Sequence, residues 1–161
     1  MIELQQTIET FARYEVEFII VGNVAMHLYG WSHVSLVLEI CYARQPVNLK
    51  RLAAALAPYH PLPRDLPADL PFVWDEQTLQ QGTNFTLSTD LGNIDLLGEV
   101  TGLGSYEQAR EQSVVMTLFG LQCFVLSLDA LIITKRAAGR TKDLLALPEL
   151  EALREIAGEN E

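Results

Sequence analysis

Apolar and polar positions along this 161-residue chain follow two rhythms, one helical and one of buried strands. Ile2, Leu4, Ile8, Phe11 and Ala12 recur at helical spacing and predict a helix over residues 2–14. Phe18-Ile19-Ile20-Val21 is a continuous apolar run closed by Gly22, the pattern of a strand buried on both faces. A short helix over 23–29, ended by Gly30, leads to a second buried strand over 34–41. Residues 48–57 are good helix formers, with Asn48 placed as a cap. Strand signals return at 85–89 and 94–97, and the turn Asp90-Leu91-Gly92-Asn93 between them makes a hairpin. Ser105 and Gln108 have capping-box spacing at the head of a short helix. Residues 114–118 and 121–126, joined at Phe119-Gly120, predict another hairpin. Ser127 can then cap a helix reaching about Ala138, which Gly139 interrupts. Thr141 can cap a further helix, and Pro148 suits the first turn of a last one.

This order lacks the regular strand–helix alternation of a doubly wound sheet. It predicts an α+β fold, a mixed β-sheet with helices packed against it and a helical C-terminal end. Pro58, Pro61, Pro63, Pro67 and Pro71 mark 58–71 as an irregular surface connection, because proline fixes the backbone and removes a donor. Neither side of that connection alone has the strands of a stable sheet. It therefore reads as an internal loop of a single domain spanning 1–161.

Composition narrows the class. Hydrophobic residues make up 49% and charged residues 20%, ordinary for a globular protein. No run of about 20 uninterrupted apolar residues is present, so no membrane partner is expected. The first residues lack a basic region and an apolar signal core, which makes the cytoplasm the expected location. A net charge of -10 opposes long-range attraction to nucleic acid or anionic lipid. Lys135, Arg136, Arg140 and Lys142 are four of the 11 basic residues and crowd into one segment, leaving room for a local phosphate site. Cys41 and Cys123 sit among apolar residues outside any Cys-x-x-Cys pair and read as buried, reduced thiols.

Three stretches carry chemistry: Val21-Gly22-Asn23 through Gly30 and on to Val37-Leu38-Glu39; Gly92-Asn93-Ile94-Asp95-Leu96-Leu97; and Lys135-Arg136-Ala137-Ala138-Gly139-Arg140-Thr141-Lys142-Asp143. Together they resemble the nucleotidyltransferase fold superfamily, and the last stretch resembles its toxin-type and abortive-infection-type members. The resemblance runs from about Glu17 to Leu150. It implies that Gly22 and Asn23 hold the place of a glycine pair whose amides approach a triphosphate. It makes Glu39 and Asp95 the candidate catalytic and metal-binding carboxylates, with Mg2+ as the cofactor of an active form. By the same resemblance Lys135, Arg140 and Lys142 are candidates for phosphate contact, and Asp143 for orienting a basic neighbour. Asp95 stands in an otherwise apolar strand, so a partner or a metal is expected for it.

The motif departs from the family pattern at four positions. The usual Asp-x-Asp reads Val37-x-Glu39, and an isopropyl group ligates nothing. His33 and Ser35 hold the places of an Arg and a Thr, leaving Ser35 as a candidate nucleotide contact. Magnesium demands near-octahedral oxygen ligation, so two remaining acids suit one weakly held ion at best. Three readings stay open. The first is a nucleotidyltransferase-like domain with a degraded metal site, inactive or weakly active, that holds a nucleoside triphosphate or a protein partner in a toxin–antitoxin or defence setting. The second is an active enzyme moving a nucleotide to an RNA or protein hydroxyl. The third is an interaction module whose pocket is filled by side chains. The first two predict a polar cleft holding Glu39, Asp95 and Lys135; the third predicts that cleft closed.

Overall fold

The computed structural model describes residues 1–67 and 69–159. Its first helix, α1 (Leu4–Arg13), lays Ile8 and Phe11 against the core. The buried hydroxyls of Thr7 and Thr10 on that face donate back to the carbonyls of Glu3 and Gln6. β1 (Phe18–Val21), buried throughout, runs straight into α2 (Gly22–Leu28). β2 (Val37–Tyr42) returns beside β1. Then come α3 (Pro46–Leu56), a 3-10 turn (Ala57–Tyr59), β3 (Leu62–Pro63) and α4 (Glu76–Gln81). β4 (Asn84–Thr89) and β5 (Gly92–Leu97) form a hairpin. The short pair β6 (Glu99–Val100) and β7 (Gly104–Ser105) precedes α5 (Tyr106–Glu111), whose capping box joins Ser105 and Gln108. A second hairpin, β8 (Ser113–Leu118) and β9 (Leu121–Leu126), leads to α6 (Leu128–Ala138) and α7 (Thr141–Glu159).

The main sheet has seven strands in the order β3-β4-β5-β2-β1-β9-β8. β1 pairs parallel with β9 and β2 parallel with β5, while the other neighbours run antiparallel. The fold is α+β with a mixed sheet and a helical C-terminal end. Ile20, Leu38, Ile40, Ile94, Leu96 and Val125 lie on one face and are fully buried. Each such side chain contributes about 1.5–3 kcal/mol by leaving water. The alternate positions on β2 and β5 look to the other face, which is only partly covered. No helix among the described residues is long and apolar enough to cross a membrane.

Four local expectations need correction. Asn48 is not a cap, because α3 starts earlier, with Gln45 at the N-cap and Pro46 in its first turn. Its buried amide instead ties the segment before β1 to the end of β2. Nδ2 donates to the carbonyls of Glu17 and Ala43, and Oδ1 accepts from the Glu17 amide. Pro148 does not open a last helix but lies inside α7. Asp143, Ala146 and Leu150 form one buried stripe along α7, and that tertiary packing carries the helix through a residue that weakens it locally. The proline-rich stretch is not wholly irregular: Leu62 and Pro63 pair with Ser88 and Leu87 at the edge of the sheet. The second strand starts at Val37 rather than residue 34, and Val34 and Leu36 are exposed.

Candidate functional site

β1 delivers Val21 to the middle of the sheet and ends there in Gly22, whose φ of +65° a side chain would strain. A Cβ at this position would lie 2.1 Å from Glu39 Oε2 and 2.6 Å from its Cδ, so the bare backbone is what lets Glu39 fold over the turn. In the sheet Glu39 stands between Val21 on β1 and Asp95 on β5. Val37, two residues earlier on the same face, stands beside Asn93. This position of the face thus holds one aliphatic side chain, next to an amide.

Asp95 has a partner from the proline-rich segment. Arg64, just after β3, donates Nη2 to Asp95 Oδ1 at 2.5 Å and Nη1 to the Leu87 carbonyl at 2.7 Å. Its backbone amide donates to the Thr86 carbonyl at 2.9 Å. The available signal was a lone arginine inside a run of prolines, a setting that restrains the backbone carrying it.

The opposite wall comes from α6 and α7. Gly139, at φ 66°, ends α6 in a left-handed cap and turns the chain into α7. That turn sets Asp143 between two cations. Lys135 Nζ donates to Asp143 Oδ1 at 3.2 Å and to Asn23 Oδ1 at 3.4 Å. Arg140 donates Nε to Asp143 Oδ2 at 2.7 Å and its backbone amide to the same oxygen. Arg140 Nη2 also donates to Asp143 Oδ1 at 3.3 Å; Asp143 is 1% exposed, whereas the Arg140 side chain is 62% exposed and keeps Nη1 for a ligand.

These walls enclose an open polar cleft of about 260 Å³. Gly22, Glu39, Asp95, Lys135, Arg140 and Asp143 line it, backed by Val21, Leu97 and Leu126. Asn23 reaches it through its bond to Lys135. Lys142 is exposed and outside the lining, though its charge is felt at Glu39. Ser35 is not brought to the cleft. Its hydroxyl bonds to the Val37 carbonyl at the entry of β2, and the residue borders a separate apolar hollow with Val24 and Val34.

The field in the cleft is uneven. Burial pushes the Glu39 carboxyl above the usual carboxylate range and neighbouring Asp95 adds to the shift, while Lys135, Arg140 and Lys142 pull it back. Burial also presses Asp143 upward, but hydrogen bonds from Arg140 and Lys135 outweigh it and hold this carboxyl low. The donor set does not fit a two-metal centre. Val37 supplies nothing, Asp95 is engaged by a guanidinium and Asp143 by two cations. Among the described residues, no group of three or more His, Cys, Asp and Glu is arranged to hold a metal ion.

No protein-family model matches the sequence, and no curated protein matches it. Among solved structures, the chain is similar to the lincosamide antibiotic adenylyltransferase LnuA in its lincomycin-bound crystal structure. The TM-score is 0.61 at 11% identity, over 94% of this chain and 96% of that one. At such low identity the likeness is one of fold, and the fold is nucleotidyltransferase-like.

Proposed function

We propose that this chain is a degenerate nucleotidyltransferase-like domain that binds a nucleoside triphosphate through Lys135 and Arg140 and transfers its nucleoside monophosphate moiety, with release of pyrophosphate, slowly or not at all. One observation carries the reading. Val37, Glu39 and Asp95 share a face of two adjacent strands, and only one of the three is an acid without a strong cationic partner. Two-metal transfer needs carboxylates that clamp both the attacking and the leaving oxygen. The basic wall needs no metal to attract phosphate, since Lys135 and Arg140 flank the cleft with donors in fixed geometry. Gly22 lines the facing side, where the Glu39 carboxylate occupies the space over its backbone. Asn23 then helps orient Lys135, Asp143 sets both cations, and Lys142 adds charge from outside. The toxin-type or defence setting and a protein partner belong to the same proposal, on the strength of the Lys135–Asp143 stretch.

The active reading is favoured by a different observation: Glu39 and Asp95 are direct neighbours in register and face Lys135 across the cleft. In that reading they share one Mg2+ and a hydroxyl of RNA or protein is the acceptor. The openness of the cleft weighs against a pure interaction module. Calorimetric titration with ATP, GTP, CTP and UTP, paired with a transfer assay using NTP labelled on the α-phosphate, separates the three. Binding with negligible label transfer to RNA or protein is the expected result. Transfer at an ordinary enzymatic rate would overturn the degenerate reading, and no binding to any nucleotide would favour the interaction module.

A further inference from the structure

We propose that Arg64 is the resident counter-ion of Asp95, a guanidinium that stands in the charge position of a metal and keeps divalent ions out of the cleft. The inference rests on the degraded-site reading and extends it from β2 to the proline-rich segment. Leu62 and Pro63 pair with β4, and the Arg64 amide continues that pairing to Thr86. The side chain crosses the open face of β4 and spends one nitrogen on Leu87 and another on Asp95. Pro63 and Pro67 restrict the backbone on either side, which lowers the entropy lost in fixing this arrangement. Arg64 is thus an element of the sheet edge rather than a surface side chain that wanders onto an acid.

The environment strengthens the pair. The Asp95 side chain is 17% exposed and that of Arg64 25%, so water screens them less than it screens a surface bridge. A divalent ion that approaches Asp95 must either displace the guanidinium or sit beside it against like-charge repulsion. Glu39 cannot tip that contest alone, because its neighbours on the same face are Val37 and a carboxylate already engaged. The consequence is specific: restoring the two acids on β2 leaves the third still occupied, so the site carries two independent blocks to metal.

Mn2+ titration followed by electron paramagnetic resonance tests this on the full chain. Four proteins are compared: wild type, Arg64→Gln, Val37→Asp/Glu39→Asp, and the triple variant combining all three substitutions. The triple variant is expected to bind Mn2+ at least about tenfold tighter than the double variant, the scale on which outer-shell partners alter metal affinity. Arg64→Gln alone is expected to gain a weak site that wild type lacks. Equal affinity of the double and triple variants, or wild-type binding as tight as that of Arg64→Gln, would overturn the proposal. Arg64→Met, which keeps the stem packing, replaces Arg64→Gln if the latter fails to fold. A wild-type measurement stands beside these. Millimolar Mn2+ is expected to leave the backbone amide signals of Glu39 and Asp95 sharp, and their selective broadening would contradict the proposal. Nucleotide affinity enters none of these readouts, so failure of the nucleotide-binding reading and failure of this one are separate results.

Discussion

Glu39 and Asp143 are carboxylates on opposite walls of one cleft, and the fold treats them in opposite ways. Asp143 is sunk at the head of α7 with Lys135 and Arg140 bonded to it, and its charge is stabilised. Glu39 lies on β2 beside another carboxylate, folded over a glycine, and its charge is penalised. The helical wall reads as a finished polar network, each member holding the next. On the sheet wall Val37 offers no polar atom and Asp95 is paired with Arg64, which leaves Glu39 without such a partner. The contrast shows that one cleft can hold a carboxylate whose charge is stabilised and, on the facing wall, one whose charge is penalised.

The largest effect expected from breaking this contrast is at Asp143. Asp143→Ala leaves Lys135 partly buried without its carboxylate and should cost about 3 kcal/mol in urea unfolding, nearly all from the Lys135 side. The exposed Arg140 bond adds little. Gly22→Ala comes next at about 1–2 kcal/mol, set by its positive φ. Adding Glu39→Ala relieves the side-chain contact but not the backbone part, so the double variant should recover only a fraction. Lys135→Ala should weaken ATP binding about tenfold in calorimetry, the loss of one charge-assisted contact. Glu39→Gln is the smallest change and has the opposite sign, a gain in stability at neutral pH, because the amide carries no charge to bury.

The two acids also separate by pH. Glu39 holds its proton more tightly in the fold than in the open chain. The stability it allows is complete below the ordinary carboxylate range and is lost as pH rises through its raised value. Asp143 is depressed, so its contribution is present above the ordinary range and is lost as pH falls through its lowered value. Unfolding curves from acid to neutral pH should show the Glu39→Gln advantage growing as pH rises. The Asp143→Asn deficit should shrink as pH falls.

Most of the sheet could be read from the chain, because buried strands such as Phe18–Val21 and hairpins such as β8–β9 advertise themselves by continuous apolar runs and glycine turns. The basic wall was legible too, since Lys135, Arg140 and Asp143 lie close in sequence and one glycine turn brings them together. What escaped depended on distance along the chain. Arg64 and Asp95 are joined only by the pairing of β3, β4 and β5, and no local pattern announces a two-residue edge strand. Asn48 has the composition of a cap, but its contacts with Glu17 and Ala43 exist only once β1 and β2 are side by side. Pro148 has the composition of a helix start, and burial of Leu150 overrides it. Ser35 sits at the right offset in the motif, yet its hydroxyl turns to Val37. α4 has almost no apolar pattern, and its surest marker, the Asp75 side chain accepting from the Thr78 amide, is a single polar contact.

The central claim is that the phosphate-gripping wall works without the metal-holding one. Calorimetric titration of ATP into the wild-type chain, once with EDTA and once with Mg2+, tests it most directly. The account predicts binding of the same affinity in both. Binding that appears only when Mg2+ is present would contradict it.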